Sequence, residues 1–150
     1  MIDELLVRLC ALFGLAAPEA DASGAYALAL PDGLTLRLRE TRTGIDLSGL
    51  VRSLPPQSGD AGEAEALCRE LLILSLGRAR QECAVSFPRL TVRNEAILLE
   101  DSIPADSSPL EGEKATEHFL NLLEKWTRLA VQKGNRRHFP PSSLQGIVLP

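Results

Sequence analysis

Hydrophobic residues recur along this chain with two periods, one typical of helices and one typical of strands. At the N-terminus, apolar residues lie at helical spacing while acidic and basic residues occupy the other faces, so a helix is predicted over Ile2 to Leu15. The apolar positions are Ile2, Leu5, Leu6, Leu9, Leu12 and Phe13. Gly14 weakens the last turn and Pro18 cannot continue a helix, so the two residues end it.

A β-hairpin is predicted to follow in the sequence GAYALALPDGLTLRLRE, which begins at Gly24. Its apolar arms flank Pro31, Asp32 and Gly33, a turn tripeptide whose glycine accepts positive φ. In the second arm, leucines alternate with threonine and arginine, the period of a sheet with one buried face and one wet face. A third strand is predicted over Gly44 to Val51.

The middle helix changes character along its length. A loop rich in proline and glycine, Leu54 to Gly62, precedes a helix predicted over Ala61 to Gly77. This helix is amphipathic at first and then apolar on nearly every side between Leu71 and Leu76. A helix apolar all round needs a second covering surface beyond its own sheet, which indicates a partner subunit. The predicted dimer interface consists of Cys68, Leu71, Leu72, Ser75, Cys83, Val85 and Phe87.

Two further strands and a long helix are predicted after the middle helix. The strands cover Glu82 to Phe87 and Leu90 to Glu100, because alternate apolar residues share one face in each, and the turn is placed at Pro88 and Arg89. The helix covers Leu110 to Val131, where apolar residues form one stripe.

The order of these elements predicts an α+β fold in one domain. It is helix, three strands, helix, two strands, helix, with the helices packed against a mostly antiparallel twisted sheet. Trp126 lies on the apolar stripe of the last helix and is expected to be among its most buried residues. The remaining residues, 133–150, show no period, so the chain divides into a folded domain over residues 1–132 and an irregular tail.

Composition and charge limit the compartment and the kinds of partner. A chain of 150 residues, 45% of them hydrophobic, can bury one core. A membrane helix needs roughly 18 apolar residues in a row, and arginines interrupt every apolar run before it reaches that length. The N-terminus lacks the features of a signal peptide. A cytosolic protein without membrane insertion is therefore expected. The formal net charge is −4 with only six aromatic residues, which argues against a nucleic-acid partner.

Candidate catalytic residues are few. A nucleophilic enzyme needs a base beside its nucleophile, and the only histidines are His118 and His138, so Cys83 with His118 is the sole pair worth naming. The three cysteines lie far apart, which disfavours a zinc site. Neighbouring carboxylates occur at Glu63 and Glu65, Glu100 and Asp101, and Glu111 and Glu113, at positions typical of helix starts and strand ends. Phosphate-binding glycine motifs are absent, so neither a metal nor a cofactor is expected.

The order of segments resembles the class I type III secretion chaperones, the Tir-chaperone family. The resemblance covers Ile2 to about Gln132 and follows the segments IDELLVRLCALFGL, YALALPDGLTLRLRE, GIDLSGLVRSLP, EAEALCRELLILSLG and EHFLNLLEKWTRLA. The segment ARQE stands where the family has a glycine-rich turn after the middle helix, and the tail after Lys133 has no counterpart.

This resemblance implies a non-catalytic homodimer of the bacterial cytoplasm. Members bind the N-terminal chaperone-binding segment of a secreted effector in extended form, which keeps the effector soluble and competent for secretion. The residues then expected to contact the effector are Leu5, Leu6, Leu9, Phe13, Leu28, Leu36 and Leu38. Two alternatives remain open: a dimeric α+β adaptor or regulatory subunit that binds a folded partner, and a small enzyme that uses Cys83 or a carboxylate.

Overall fold

The computed structural model describes residues 2–53, 61–78 and 88–137 and has an α+β fold with the predicted order of elements. In chain order these are α1 (Ile2–Phe13), β1 (Ala25–Ala29), β2 (Thr35–Glu40), β3 (Gly44–Ser53), α2 (Ala61–Arg78), β4 (Arg89–Arg93), β5 (Ala96–Pro104) and α3 (Pro109–Arg137). The predicted order is therefore confirmed.

The first helix ends where its glycine predicts. Gly14 has a φ of 65°, and the amide of Leu15 donates to the carbonyl of Cys10 at 2.9 Å. This backbone hydrogen bond and left-handed glycine form the Schellman motif, which satisfies a carbonyl that the helix itself leaves free.

Five antiparallel strands form one sheet in the order β1-β2-β3-β5-β4. The predicted hairpin joins β1 to β2 with Leu28 opposite Leu36, and Gly33 adopts a φ of 79° in its turn. β3 pairs with β5 across the centre, and their register shifts at a bulge between Leu50 and Arg52. The bulge turns Arg52 toward the helices, where its guanidinium donates to the carbonyl of Ala130 at 2.7 Å.

The hydrophobic core lies between one face of the sheet and helices α1 and α3, with Leu67 and Leu71 of α2 closing it beside β4. The stripe of α3 is buried, and Trp126 is 4% exposed, as its position in the pattern predicts. Gly49 of β3 lies directly under α3, because a Cβ atom there would come within 2.5 Å of Leu123. The glycine therefore sets how closely this helix can approach the sheet.

The strands and the turn after α2 differ from the sequence predictions. The continuous strand over Leu90 to Glu100 is wrong, because Asn94 and Glu95 form a turn with φ values of 48° and 60° that separates β4 from β5. The turn predicted at Pro88 and Arg89 is also wrong, since Arg89 is the first residue of β4. A two-residue loop with both φ values positive matches the right-handed twist of the strands, and Asn94 is its only recognisable signal. The predicted strand over Glu82 to Phe87 lies outside the described residues.

The last helix begins with a capping box and runs further than predicted. The amide of Glu111 donates to the hydroxyl of Ser108, whose amide donates in turn to the Glu111 carboxylate. α3 continues to Arg137, six residues past the predicted end, in a segment without proline whose basic residues suit the C-terminal end of a helix. Residues 138–150 lie outside the described part of the chain, so the boundary between domain and tail stays a prediction.

Candidate partner-binding surfaces

The leucines predicted to contact a partner lie in the core. Of the seven predicted contact residues, the six leucines are buried on the inner side of α1 or on the inner face of the sheet, and Phe13 is half-buried. The buried residues are Leu5, Leu6, Leu9, Leu28, Leu36 and Leu38. Their role in binding stays a prediction, and a partner could reach them only where the core opens.

Exposed apolar side chains on α1 occupy positions that the sequence reasoning did not select. Val7 is 70% exposed and Leu12 is 67% exposed. Helical spacing placed Leu12 on the buried stripe, which is wrong because α3 and the sheet contact the helix only along the side of Leu5 and Leu9. The sequence did contain a signal for Val7, because it is a large apolar residue outside the apolar stripe of the helix.

An exposed ion pair links α1 to α3 beside these apolar residues. The Arg8 guanidinium donates to the Glu113 carboxylate at 2.9 Å and also approaches Glu4 on its own helix. The hydrogen bond to Glu113 is the main reason that the pKa of Arg8 is raised. The exposed side of α1 at Arg8 therefore lies beside the first turns of α3.

The outer edge of β1 has unused backbone groups. Leu30 pairs with Leu34 in the hairpin, so by antiparallel alternation Ala27 and Ala29 direct their amides and carbonyls away from β2. Within the described residues, no other strand pairs with β1. Both alanine side chains are small and exposed, so another extended chain can approach this edge.

Asp21 blocks the same edge at its beginning. Its carboxylate accepts hydrogen bonds from the Ser23 hydroxyl and from the amides of Ser23 and Ala25. These bonds, with a contribution from Arg37, lower the pKa of Asp21 to about 2. The amide of Asp21 also donates to the Ala25 carbonyl, so only the part of the edge after Ala25 is open.

The α2 surface carries the described part of the predicted dimer interface. Leu71 is buried against the core, whereas Leu72 and Ile73 are 38% and 62% exposed. Cys68 is half-buried, and burial raises the pKa of its thiol. Ser75 lies on α2 with its side chain outside the described set, and Cys83, Val85 and Phe87 also lie outside it. The dimer stays a prediction.

The sheet face opposite the helices is open and charged. We call it the outer sheet face, and it forms a shallow groove whose lining includes Arg37, Arg39, Asp46, Ser48, Arg89, Arg93, Leu98, Glu100 and Ser102. The arginines lie on β2 and β4, and the neutral and acidic residues lie on β3 and β5 between them.

Structural partners are found for Glu65, Glu100, Glu111 and Glu113 among the carboxylates considered as catalytic candidates. The side chain of Glu63 lies outside the described set. Glu111 caps α3, Glu100 pairs with Arg93 and Glu65 pairs with Arg69. Across residues 2–53, 61–78 and 88–137, no group of three potential metal ligands occurs. His118 is half-buried on α3, and its Nε2 atom has no hydrogen-bond partner among the described residues. Cys83, the nucleophile considered with it, lies outside the described residues. Over the same ranges, none of the helices is long and apolar enough to cross a membrane.

Comparison with known proteins identifies the fold. No protein-family model and no curated protein sequence matches the chain. Among solved structures, a chain of the ExsC-ExsE complex matches with a TM-score of 0.61 and 18% identity, over 86% of this chain and 92% of that one.

Two other solved structures give the same result. One contains the Yersinia pestis type III secretion chaperone SycH with a stable fragment of YscM2 (TM-score 0.54, 15% identity, 84% of this chain and 99% of that one). The other is the HopA1-SchA chaperone-effector complex (TM-score 0.53, 17% identity, 85% and 93%). The chain therefore has the class I type III secretion chaperone fold.

Proposed function

We propose that this protein is a class I type III secretion chaperone that binds the N-terminal chaperone-binding segment of a secreted effector in extended form. In this role it is a non-catalytic protein of the bacterial cytoplasm that keeps its client soluble and competent for secretion. The observation that carries the proposal is the fold match, which covers more than nine tenths of each of the three matched chains. Two of those structures are described as containing a type III secretion chaperone or a chaperone-effector complex.

The open edge of β1 and the exposed side chains of α1 suit an extended client. Ala27 and Ala29 can add main-chain hydrogen bonds to a client strand, the strand-addition mode of peptide recognition. Val7 and Leu12 offer about 1 to 2 kcal/mol each when covered, given their exposure and the usual value of burying an apolar side chain. The predicted contact residue Phe13 lies on the same helix and is half-buried against the core, and its contact with a client stays a prediction.

The energy balance calls for a long client segment. Ordering an unfolded chain costs about 1 to 2 kcal/mol per residue, so two exposed side chains and a short strand cannot hold it. A large contact area is therefore needed, and we expect it to be distributed over a client segment of about 50 residues or more that wraps around the protein. A second subunit would double the available surface.

We further propose that α2 forms the homodimer interface through Leu72 and Ile73. Both side chains are exposed in the single chain, and they lie beside Cys68 and Leu71, which the sequence assigned to the same interface. Covering them would remove an apolar patch from water on each subunit.

Calorimetry tests the proposal. The full-length protein is titrated with the N-terminal segment of a secreted protein whose gene lies beside the gene of this protein. The wild-type protein is expected to bind this segment, and Val7→Asp with Leu12→Asp is expected to weaken binding without lowering the melting temperature. Val131→Asp is the matched control, because Val131 is 51% exposed on α3, and it should bind as the wild type does. If no unfolded segment binds while a folded partner does, the adaptor function replaces the chaperone function.

A further inference from the structure

The residues that follow α3 combine an absence of charge with an apolar run. Residues 138–150, HFPPSSLQGIVLP, contain no aspartate, glutamate, lysine or arginine, whereas 24% of the whole chain is charged. We call residues 146–149, with the sequence GIVL, the GIVL segment; isoleucine and valine favour strands. Segments that stay in water are usually rich in charged and polar residues. This composition therefore favours contact of the GIVL segment with another part of the protein.

The outer edge of β1 offers backbone groups to such a segment. Ala27 and Ala29 direct their amides and carbonyls away from β2, and within the described residues no strand pairs with that side. Proteins usually protect an edge strand with charged side chains, proline or a covering element. The two alanines provide neither charge nor proline, and both are exposed. The open stretch is short, and a segment of four residues covers it.

Helix α3 ends at the same end of the sheet as β1. β1 and β3 run in the same direction, since both are antiparallel to β2. Ile45 at the start of β3 and Gly112 in the first turn of α3 line the same small cavity. At the other end, the guanidinium of Arg52 donates to the carbonyl of Ala130, so α3 runs along β3 toward its last residues. A segment that returns from this end along the edge of β1 is antiparallel to β1.

The residues between α3 and the GIVL segment are long enough to reach the edge. Arg137 lies about 10 Å past Ala130 along the helix axis. Ala29 lies about 7 Å back from the level of Arg52 along the sheet. The offset across two strands and the height of a helix above the sheet add about 10 Å each at right angles. The total distance is about 20 to 25 Å, and residues 138–145 span about 26 Å when extended.

We propose that the GIVL segment pairs antiparallel with the outer edge of β1 and occupies this edge when no client is bound. The competition with a client rests on the proposed function, which assigns main-chain contacts to the same edge. A segment joined to the sheet by so short a connection has an effective concentration of about the millimolar range, so weak pairing keeps the edge covered. A long client displaces the segment because the client gains further contacts elsewhere on the protein.

One register suits both the backbone of β1 and the proline that follows the GIVL segment. Ile147 lies opposite Ala29 and Leu149 opposite Ala27, and each pair exchanges two hydrogen bonds across the edge. Pro150 occupies the next position, whose nitrogen points away from β1, so its missing amide proton removes no hydrogen bond. The isoleucine and leucine side chains cover the two exposed alanines.

Amide hydrogen exchange measured by NMR on the full-length protein tests the pairing. In the wild type, the amides of Ala27 and Ala29 should exchange at least about tenfold more slowly than in an unstructured peptide of the same sequence, although β2 does not bond them. Exchange of both amides at the rate of the peptide would overturn the proposal. Protection that is lost on dilution would assign the edge to a second copy of the chain and would overturn it as well.

Charged substitutions in the GIVL segment locate the contact. Ile147→Asp with Leu149→Asp should abolish the protection of the two edge amides, because burying aspartate against the alanines is unfavourable. The matched control, Ser142→Asp with Ser143→Asp, adds the same charge to the connecting residues and should leave the exchange rates as in the wild type. Edge amides that stay protected in the first variant would contradict the pairing.

The amide of Leu28 is the internal reference for these measurements. Leu28 is paired with Leu36, and its amide faces β2 and not the open edge. It should therefore stay protected in the wild type and in both variants. If the variant with aspartate in the GIVL segment also loses protection at Leu28, the segment supports the whole strand and the assignment to its edge is wrong.

Calorimetry with the client separates failure of this proposal from failure of the proposed function. The variant with aspartate in the GIVL segment should bind the client segment at least about threefold more tightly than the wild type, because its edge is free. If both bind the client equally tightly, the competition is refuted and the chaperone function stands. If no client segment binds at all, the chaperone function fails, whereas the exchange rates of the edge amides still decide whether the GIVL segment pairs with β1.

Discussion

Replacing Gly49 by alanine tests how α3 packs on the sheet. The added Cβ atom would lie 2.5 Å from Cδ2 and 2.8 Å from Cδ1 of Leu123, whereas carbon atoms in contact are about 3.5 to 4.0 Å apart. About 1 Å must be gained, and Leu123 is fully buried, so its side chain cannot swing into water. Overpacking of this kind costs about 1 to 3 kcal/mol.

Part of that cost is offset by the unfolded state. Alanine restricts the unfolded chain more than glycine, which returns about 0.4 to 1 kcal/mol. We therefore expect Gly49→Ala to lower the free energy of unfolding by about 1 to 2 kcal/mol. Gly112→Ala is the matched control, because nothing lies within 4 Å of a Cβ atom there and the residue is helical, so it should be neutral or stabilise by up to about 1 kcal/mol.

A double-mutant cycle isolates the clash from other effects. Leu123→Ala alone should cost about 2 to 5 kcal/mol because it leaves a cavity under α3. In that background the alanine at position 49 has room, so its cost should fall by about 1 kcal/mol or more. The assay is urea denaturation followed by circular dichroism, at one protein concentration because a dimer would make stability concentration-dependent. An equal cost of Gly49→Ala in both backgrounds would refute the reasoning.

Three further predictions concern burial, assembly and pH. Trp126→Ala should lower the free energy of unfolding by about 3 to 5 kcal/mol, and thermal melting like that of the wild type would show that the tryptophan is not part of the core. Leu72→Glu should convert the predicted dimer to a folded monomer in light scattering, whereas Leu71→Glu should unfold the chain because Leu71 is fully buried. A wild-type protein that is monomeric at micromolar concentration would refute the interface. The pKa of Asp21 is lowered from 3.8 to about 2, so the stabilisation by its carboxylate is complete above pH 4 and is lost as pH falls through 2. The difference in free energy of unfolding between the wild type and Asp21→Ala should therefore shrink over that range. A constant difference would contradict this prediction.

The sequence by itself determined the kind and order of the elements. Features that depend only on neighbouring residues could be predicted from them. Gly14 ends α1, Gly33 lies in the hairpin turn, and alternating leucines in β2 define which face is buried. The stripe of α3 likewise placed Trp126 in the core, because a helical period shows one buried side wherever the helix packs. The same order of segments carried the resemblance that the fold comparison confirmed.

Only the tertiary structure decided which apolar residues remain exposed and which strands are neighbours. Leu5 and Leu12 look alike in the pattern of α1, but contact with α3 and the sheet buries one and leaves the other exposed. The pairing of β3 with β5 joins residues about 50 positions apart, and its energy comes from many weak contacts that no short motif records. This pairing also sets the distance between β2 and β4 in the sheet, which spacing along the chain does not encode.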